Sequence, residues 1–291
     1  MTMHKLKIAS SLLVASSLLA SGVSWAGENL FSNNNDGTRH YVSYGAEYYK
    51  WDETVDNIDG KYVAEHGPRL RVNVGTNNYL DAQSGLLTAW DMSLMFGIVN
   101  YKGSTLDDKA NVADGSLKGK TYYTGFSTDI TRGYRYRASE SLSIDAKGSA
   151  GGQVWLRHIR SDDVYIASEN RSQQYTALEV SLQPYAKAAL GANWQMTTDS
   201  RLSLEGGAFY PIATWTHSNQ GGVWLQPKSR LSPFTSLTWN IDKDLFVKAS
   251  YVHQKYGKSD EKRGQLNGRD VGYYQPATTT STLGLEFGFY F

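Results

Sequence analysis

The sequence predicts an all-β protein, a single antiparallel transmembrane β-barrel of about ten strands. Three observations lead to this fold class. Apolar and polar side chains alternate with a period of two residues along most of the chain, which is the pattern of strands. The connections between these segments alternate between short and long. One face of the segments is apolar, and the opposite face carries most of their charges.

The first residues predict a secretory signal peptide. Lys5 and Lys7 precede the apolar and small-residue stretch Ile8 to Val23, and Ser24-Trp25-Ala26 is a small-x-small cleavage site. An uncleaved anchor helix is the alternative, but the apolar core is short and rich in serine for a membrane span. We therefore expect residues 1–26 to be removed and residues 27–291 to form one barrel domain outside the cytoplasm.

The composition narrows the class of protein. After Ala26 no apolar run approaches the roughly 18 residues of a membrane-spanning helix. The chain has no Cys, so a secreted fold must rest on its sheet or its core and not on disulfides. It has 20 Tyr and 8 Trp, and its formal charge of +1 gives no attraction towards nucleic acid.

Period-two alternation predicts ten strands. In chain order they are His40 to Trp51, Pro68 to Gly75, Leu87 to Tyr101, Lys120 to Ile130, Ser141 to Ile159, Tyr175 to Trp194, Arg201 to Trp215, Arg230 to Ile241, Leu245 to Tyr256, and Thr278 to Phe291.

The connections fall into two groups, as they do in transmembrane barrels with short periplasmic turns and longer extracellular loops. The short polar turns are Thr76 to Leu86, Thr131 to Glu140 ("TRGYRYRASE"), Gln195 to Ser200, and Asp242 to Asp244. The long loops are Asp52 to Gly67, Lys102 to Gly119, Arg160 to Gln174, Thr216 to Ser229, and Gly257 to Ala277. An even number of strands puts both ends of the barrel domain on the periplasmic side.

The charged face predicts the barrel lumen, because the apolar row of a transmembrane barrel faces lipid and its interior is polar. A soluble sandwich is the alternative, since its outer face also carries charges. The predicted inward charges number seven acids and seven bases, which we expect to pair in a narrow lumen. They are Glu47, Arg71, Asp91, Asp129, Asp145, Lys147, Arg157, Glu179, Lys187, Arg201, Glu205, Arg230, Lys248 and Glu286.

Strand length, aromatic positions and the last strand favour the barrel over the sandwich. Aromatic residues cluster near strand ends, as in the girdles at the two membrane interfaces. The strand "STLGLEFGFYF" ends on an aromatic residue, with Phe287, Phe289 and Phe291 at alternate positions. This strand resembles the C-terminal signature of bacterial outer-membrane β-barrel proteins. The resemblance implies recognition by the barrel assembly machinery.

The predicted strand number places the chain beside omptin proteases and Opc-type adhesins in size, which is an analogy of architecture only. The omptin resemblance implies an acid pair on one outer loop and an acid-histidine couple on the facing loop. Asp107 and Asp108 supply the residue types for the pair, but His217 is followed by Ser218 and Asn219 and has no acid in its loop.

Other chemical sites have weaker support. The segment His217-Ser218-Asn219 contains the residue types of a serine hydrolase, but neighbouring residues on a strand point apart. The five histidines of the mature chain lack the spacing of metal ligands. "GSAGG" at Gly148 to Gly152 lies inside a predicted strand. A nucleotide loop would need a helix after it, so a bend or close packing is favoured. Loop Gly257 to Asp270 has mixed charges, and a solvated loop is favoured over a polyanion site.

The sequence therefore predicts a non-enzymatic protein of the Gram-negative outer membrane without a cofactor, a metal or nucleic acid. The expected role is surface binding, or a structural role, through the extracellular loops. A small channel for ions or small solutes is the alternative, and an omptin-like or lipid-active hydrolase is a third hypothesis. The expected partners are outer-membrane lipid and lipopolysaccharide, the assembly machinery and an unidentified extracellular ligand.

Overall fold

The structure, a computed structural model, describes residues 37–55, 61–80, 83–103, 117–166, 171–219, 221–266 and 269–291. The chain divides into two units, Met1–Thr38 and Arg39–Phe291. All strands reported below belong to the second unit. The predicted signal peptide lies outside the described residues.

Strands make up the regular structure of these residues. In the described part of the chain, no helix is long and apolar enough to cross a membrane. The strands are β1 (Arg39–Thr54), β2 (Val63–Asn77), β3 (Gly85–Gly103), β4 (Leu117–Arg137), β5 (Leu142–Ile166), β6 (Arg171–Gln195), β7 (Arg201–Pro211), β8 (Trp215–Ser218), β9 (Trp224–Leu225), β10 (Lys228–Ser229), β11 (Ser232–Asn240), β12 (Leu245–Gly257), β13 (Lys262–Leu266), β14 (Arg269–Tyr273) and β15 (Ala277–Tyr290).

Ten of these strands close into one antiparallel barrel. Around the ring the order is β1, β2, β3, β4, β5, β6, β7, β11, β12 and β15, and β15 pairs again with β1. The first and last strands lie side by side from Tyr41 opposite Tyr290 to Thr54 opposite Ala277. A closed ring leaves no long unpaired strand edge, which an open sheet of this size would expose. The predicted fold class is confirmed.

Each predicted strand has a counterpart in the barrel, but several strands run further than predicted. β1 continues to Thr54, and β2 already begins at Val63. β4 continues to Arg137, so most of the segment predicted as the turn "TRGYRYRASE" is strand. The predicted strand Arg201 to Trp215 is interrupted after Pro211 and resumes as β8, which pairs with β6. The extensions of β1, β2 and β4 lengthen the barrel wall.

The connections alternate in length as predicted. The four short ones span residues 78–84, 138–141, 196–200 and 241–244, and we call their side of the barrel the short-turn end. In the last of them the Asp242 carboxylate accepts hydrogen bonds from the backbone N–H groups of Asp244 and Leu245, each at 2.8 Å. Such an Asx turn explains why four residues suffice there. Two of the connections at the opposite, long-loop end contain strands of their own, β8 to β10 and the β13–β14 hairpin.

The alternation of side chains follows residue number with unusual regularity. Inward-facing residues are odd-numbered from β1 through Pro211 and even-numbered in β8, β11, β12 and β15. The change occurs at residues 212–213, two residues between the inward Pro211 and the inward Thr214, where β7 ends and β8 begins. A β-bulge has this effect, because one extra residue reverses the faces of the strand beyond it.

The outer surface of the barrel carries an apolar band. Its members are large hydrophobic side chains that stay exposed, as expected for a surface that faces lipid. They include Tyr44, Tyr48, Leu70, Leu94, Phe96, Ile98, Tyr122, Ile130, Tyr134, Leu190, Trp194, Leu204, Tyr210, Leu237, Trp239, Tyr251, Leu283, Leu285, Phe287 and Phe289.

Glycine is required where large side chains cross the lumen. A Cβ atom on Gly151 would lie 2.3 Å from the carbonyl oxygen of Thr128 and 2.8 Å from the ring of Tyr185. Gly151 belongs to the "GSAGG" segment, which runs through β5 without interruption. The predicted close packing is present at this glycine.

Candidate functional site: the barrel lumen

The lumen is filled at the long-loop end around Arg157. The Arg157 side chain extends from β5 and lies 2.6 Å from Glu65, 2.7 Å from Glu179 and 3.4 Å from Glu53, measured between guanidinium nitrogen and carboxylate oxygen. Its guanidinium also lies 4.7 Å from the ring centroid of Trp51. One arginine thus joins carboxylates from β1, β2 and β6 across the interior.

The carboxylates around Arg157 also receive neutral donors. Glu65 is fully buried and accepts hydrogen bonds from the Thr121 hydroxyl at 2.8 Å and the Tyr123 hydroxyl at 2.5 Å. Glu53 accepts from the Gln275 amide at 3.1 Å, a residue of the last long connection. Buried charges are tolerated when they are paired and hydrogen-bonded in this way.

Apolar side chains pack around this network, and together they form what we call the outer plug. The buried apolar members are Tyr49, Trp51, Val63, Val99, Tyr101, Leu117, Tyr123, Trp155, Ile159 and Ala177. The space left between Trp51, Trp155 and Tyr256 is about 10 Å³. A void of this size holds no more than about one water molecule.

A second ion-pair group lies next to the outer plug. The Arg69 Nε donates to Glu47 at 2.7 Å, and the Arg71 Nε donates to the other oxygen of the same carboxylate at 3.1 Å. Arg69 is buried and stacks on Tyr49, with 3.6 Å between guanidinium and ring centroid. Arg71 also donates to the Ser93 hydroxyl at 3.1 Å. Both arginines therefore reach Glu47 from β2.

The middle of the barrel contains a cavity of about 390 Å³ that is lined by charged, polar and aromatic side chains. Asp91 and Asp129 face each other across β3 and β4, and the Lys187 Nζ lies 3.0 Å from Asp129. Lys147 forms an ion pair with Glu205. Both acids and bases thus line this cavity, which we call the central cavity.

The short-turn end of the central cavity is crossed by the connection between β2 and β3. The backbone carbonyl of Tyr79 accepts one hydrogen bond from Arg135 of β4 at 2.6 Å and one from Arg201 of β7 at 2.7 Å. Arg135 also forms a two-point ion pair with Asp145, at 2.7 and 2.8 Å. Since β2 and β7 lie on opposite sides of the ring, residues 78–80 and the two arginine side chains together bridge the lumen. We call residues 78–80 the Tyr79 strap.

The side chain of Tyr79 is part of the closure. Lys147 lies 4.7 Å from its ring centroid. Burial, together with the nearby carboxylates of Asp91 and Glu205, raises the pKa of the Tyr79 hydroxyl well above its usual value. The hydroxyl therefore stays neutral at physiological pH and adds no charge to the lumen.

Most of the predicted lumen charges line the central cavity. Arg157 and Glu179 lie in the outer plug instead. Arg230 does not face the lumen: it lies between β10 and β11 with an exposed side chain, because β11 begins only at Ser232. The residues at the cavity are Glu47, Arg71, Asp91, Asp129, Asp145, Lys147, Lys187, Arg201, Glu205, Lys248 and Glu286.

Four buried charges were not among the predicted ones: Glu53, Glu65, Arg69 and Arg135. All four have the inward parity of their strands. Glu53 and Glu65 were assigned to a loop, and Arg135 to a turn. The signal for Arg135 was present, because "YRYR" alternates an outward tyrosine with an inward arginine.

The residues considered for catalysis do not converge in the structure. His217 is half-buried and packs on Trp224, with 5.1 Å between ring centroids. Its neighbour Thr216 is the residue of β8 that reaches the lumen, where it hydrogen-bonds Ser181 at 3.0 Å. His217 consequently points away from the lumen carboxylates. Asp107 and Asp108 lie outside the described residues.

Two other predictions concern metals and the last long loop. Within the described ranges, no group of three or more His, Cys, Asp or Glu residues is placed to hold a metal ion. In the loop, Lys258 lies 4.3 Å from the Tyr274 ring centroid, and Lys228 of β10 lies 3.4 Å from Asp260. In this loop, Lys258 thus contacts an aromatic ring, and the acid Asp260 lies near a lysine of β10.

Comparison with solved structures shows the fold. The outer membrane protease OmpT from Escherichia coli superposes with a TM-score of 0.55 at 7% sequence identity, over 87% of this chain and 96% of that one. The chain has the fold of an outer-membrane β-barrel. The transport unit of the autotransporter AIDA-I from Escherichia coli matches with a TM-score of 0.44 at 11% identity, over 90% of this chain and 92% of that one.

Comparison of the sequence with known families and proteins does not assign this chain to a family. No protein-family model matches the chain, and no curated protein matches it. At this level of identity the likeness to OmpT concerns the fold and carries no activity over to this chain.

Proposed function

We propose that this protein is a closed, non-enzymatic barrel of the Gram-negative outer membrane that acts through its outer surface and not through its lumen. The observation that carries the proposal is the closure of the lumen at both ends. The outer plug fills the long-loop half, and the Tyr79 strap crosses the short-turn end. In the membrane, the long-loop end faces the outside and the short turns face the periplasm.

Ion pairing within the lumen supports the same function. A selective pore usually presents a ring of one charge at its constriction. Here Arg157 meets three carboxylates in the outer plug, and Lys187 and Lys147 each meet an acid in the central cavity. Charges committed to each other do not offer binding sites to a passing ion.

The groups considered for catalysis do not converge in the part of the chain that the structure describes, and this supports the non-enzymatic role. Among the described residues, His217 is separated from the buried carboxylates, and Ser218 lies on the opposite face of β8 from His217. Acid-base or nucleophilic catalysis requires such groups within hydrogen-bond reach of one another.

A planar bilayer recording of the refolded protein tests the proposal. We expect no steady current from the native protein at neutral pH. The double variant Arg135→Gln/Arg201→Gln removes both donors that hold the Tyr79 carbonyl, so we expect it to leak. The matched control is Arg132→Gln/Lys243→Gln, which removes the same charge from exposed residues at the same end.

The recording also decides between the proposal and its alternative. Large, steady currents through the native protein would establish a small channel in place of a closed barrel. Equal leak from the two double variants would show that the Tyr79 strap does not seal the lumen.

A further inference from the structure

A row of basic and polar side chains crosses the outer surface of the barrel at the long-loop end. Lys50, His66, Asn100, Lys120 and Arg160 lie directly opposite one another on β1 to β5. Each of these side chains is exposed and faces outward. With strands about 4.8 Å apart, the row extends roughly 19 Å around the barrel. We call it the basic row.

The basic row has a sharp lower boundary. Two residues closer to the middle of β1, β3 and β4, the outward side chains are Tyr48, Ile98 and Tyr122, which are 52, 53 and 41% exposed, while β2 and β5 carry Pro68 and His158 at this level. Tyr48, Ile98 and Tyr122 belong to the apolar band. The basic row therefore lies at the level where the apolar band ends, which is the depth of lipid headgroups in a membrane-inserted barrel.

Four cations on this surface lie opposite other cations and not opposite acids. Lys120 is directly opposite Arg160, and in the adjacent outward row Lys102 is directly opposite Lys118. Like charges in directly opposed positions destabilise a sheet. Two such pairs side by side create a strongly positive surface on β3, β4 and β5, which an anion bound between them would stabilise.

Acids near the basic row offset only part of this charge. Asp52 is 3.2 Å from Lys50 and 2.9 Å from Lys61. These contacts do not involve the two like-charged pairs on β3 to β5. Among the described side chains of these three strands, the exposed outward acid is Asp162. Lys120 and Arg160 contact the amide oxygens of Asn100 and Gln174 at 2.5 and 3.0 Å, which orders them without neutralising them.

We propose that the basic row and the adjacent Lys102 and Lys118 bind the phosphorylated headgroup of an anionic lipid in the surrounding leaflet. The aromatic residues below the row hold the start of the acyl chains, and the cations above hold the phosphates. This inference rests on the proposed membrane orientation, but not on the closure of the lumen.

Purified protein in detergent, titrated with lipopolysaccharide that carries a phosphorylated lipid A, tests this site. We expect the variant Lys102→Gln/Lys120→Gln/Arg160→Gln to bind at least about tenfold more weakly, since each cation near the surface contributes. The matched control Lys228→Gln/Lys262→Gln/Arg263→Gln removes the same charge from β10 and β13 at the same end. We expect this control to bind as the native protein does.

The chemistry of the ligand is tested on the native protein alone, so the test does not depend on the variants folding. Phosphatase-treated lipopolysaccharide is expected to bind more weakly than the untreated lipid, and millimolar inorganic phosphate is expected not to displace the lipid. Heat-modifiable migration in gels checks that each variant is folded.

Four outcomes would overturn the proposal. They are unchanged binding by the basic-row variant, equal loss in both triple variants, equal binding of treated and untreated lipid, and full displacement by free phosphate. The first two would remove these residues as the site, and the last two would remove a lipid phosphate as the ligand. The bilayer recording is independent of all four outcomes, so failure here is distinguishable from failure of the closed-lumen proposal.

Discussion

Arg157 shows at the scale of one residue how a barrel interior accommodates charge. Its side chain is 2% exposed, and Glu53 and Glu65 beside it are 4% and 0% exposed. Desolvation of these groups is costly, and the cost is offset only because every charge has a close partner. The arrangement therefore depends on all its members, and removal of the single cation leaves three carboxylates together.

The first prediction follows from this dependence. Arg157→Met should lower the free energy of unfolding by about 3 to 5 kcal/mol, because it leaves buried charges uncompensated. Arg160→Met is the matched control on the same strand, where an exposed side chain has one hydrogen bond to Gln174, and it should cost less than about 1 kcal/mol. Urea unfolding in detergent micelles measures both losses.

The pH dependence of the same variant is a second prediction. Protonation neutralises the carboxylates that Arg157→Met leaves without a cation, so the deficit relative to the native protein should shrink as the pH falls. Unfolding measured at pH 7 and pH 5 checks the direction. A deficit that grows on acidification would mean that the carboxylates are not the source of the instability.

For single residues, the sequence predicts an inward charge only where the outward neighbours are apolar. Glu47 and Glu286 were predictable as inward charges because their outward neighbours are apolar. Glu65 was not, because beyond the apolar band the outward residues are polar as well, for example His66. Once both faces of a strand are polar, a period of two no longer distinguishes strand from loop. Partners such as Glu65 and Arg157 are 92 positions apart, and only the closed ring brings them together.

At the scale of elements, the alternation of apolar and polar residues predicts the number of barrel strands, but it does not predict where each strand ends. Alternation persists as long as one face meets lipid, and it fades where the barrel wall extends beyond the lipid. β7 shows a further difficulty. The interruption at residues 212–213 changes inward positions from odd to even, so parity extrapolated along the chain fails without knowledge of the bulge. Arg230 was misplaced nearby, since its segment is a connection and not part of β11.

The last strand gives the prediction at this scale. Leu285 faces outward in the middle of β15, opposite Ala46 and Ala249. Leu285→Arg should destabilise the folded protein by about 2 to 4 kcal/mol in lipid, because a cation near the bilayer midplane is costly. Thr279→Arg on the same strand is the control, since it lies beyond the apolar band, between Asp52 of β1 and Lys255 of β12.

Reversible unfolding in lipid vesicles measures the two variants. Equal losses from Leu285→Arg and Thr279→Arg would contradict the placement of the apolar band in the membrane. The same experiment in detergent should narrow the difference, because a micelle adapts to a buried cation more readily than a bilayer does.

At the scale of the whole molecule, the barrel is a rigid closed wall around an interior that its own side chains occupy. A ring of about eight strands is filled by side chains, whereas one of 16 to 18 leaves a channel, so ten strands stand near the filled limit. The cavity of about 390 Å³ that remains is bounded by the outer plug and the Tyr79 strap. Strand number and balanced charge predict a narrow lumen with paired charges. They do not predict the Tyr79 strap, because the strap depends on hydrogen bonds to a backbone carbonyl.

Cell fractionation tests the proposed location. We expect the mature protein to begin at or near Gly27 and to fractionate with the outer membrane. The reason is that the expected signal peptide precedes a chain with the fold of an outer-membrane β-barrel. N-terminal sequencing of the membrane-extracted protein decides the question. A start at Met1, or recovery from the soluble periplasm, would contradict the proposal.

The hydrogen-bonded seam between β1 and β15 has a consequence for the chain order itself. His40 and Phe291 exchange backbone hydrogen bonds at 3.3 and 2.9 Å, so the two edges of the barrel domain are neighbours at the short-turn end. A circular permutant that joins Phe291 to Arg39 through a short glycine linker, and opens between Ser139 and Glu140, keeps every strand pair. It should refold in detergent to the same heat-modifiable form, because in a closed ring any short turn can serve as the place where the polypeptide starts.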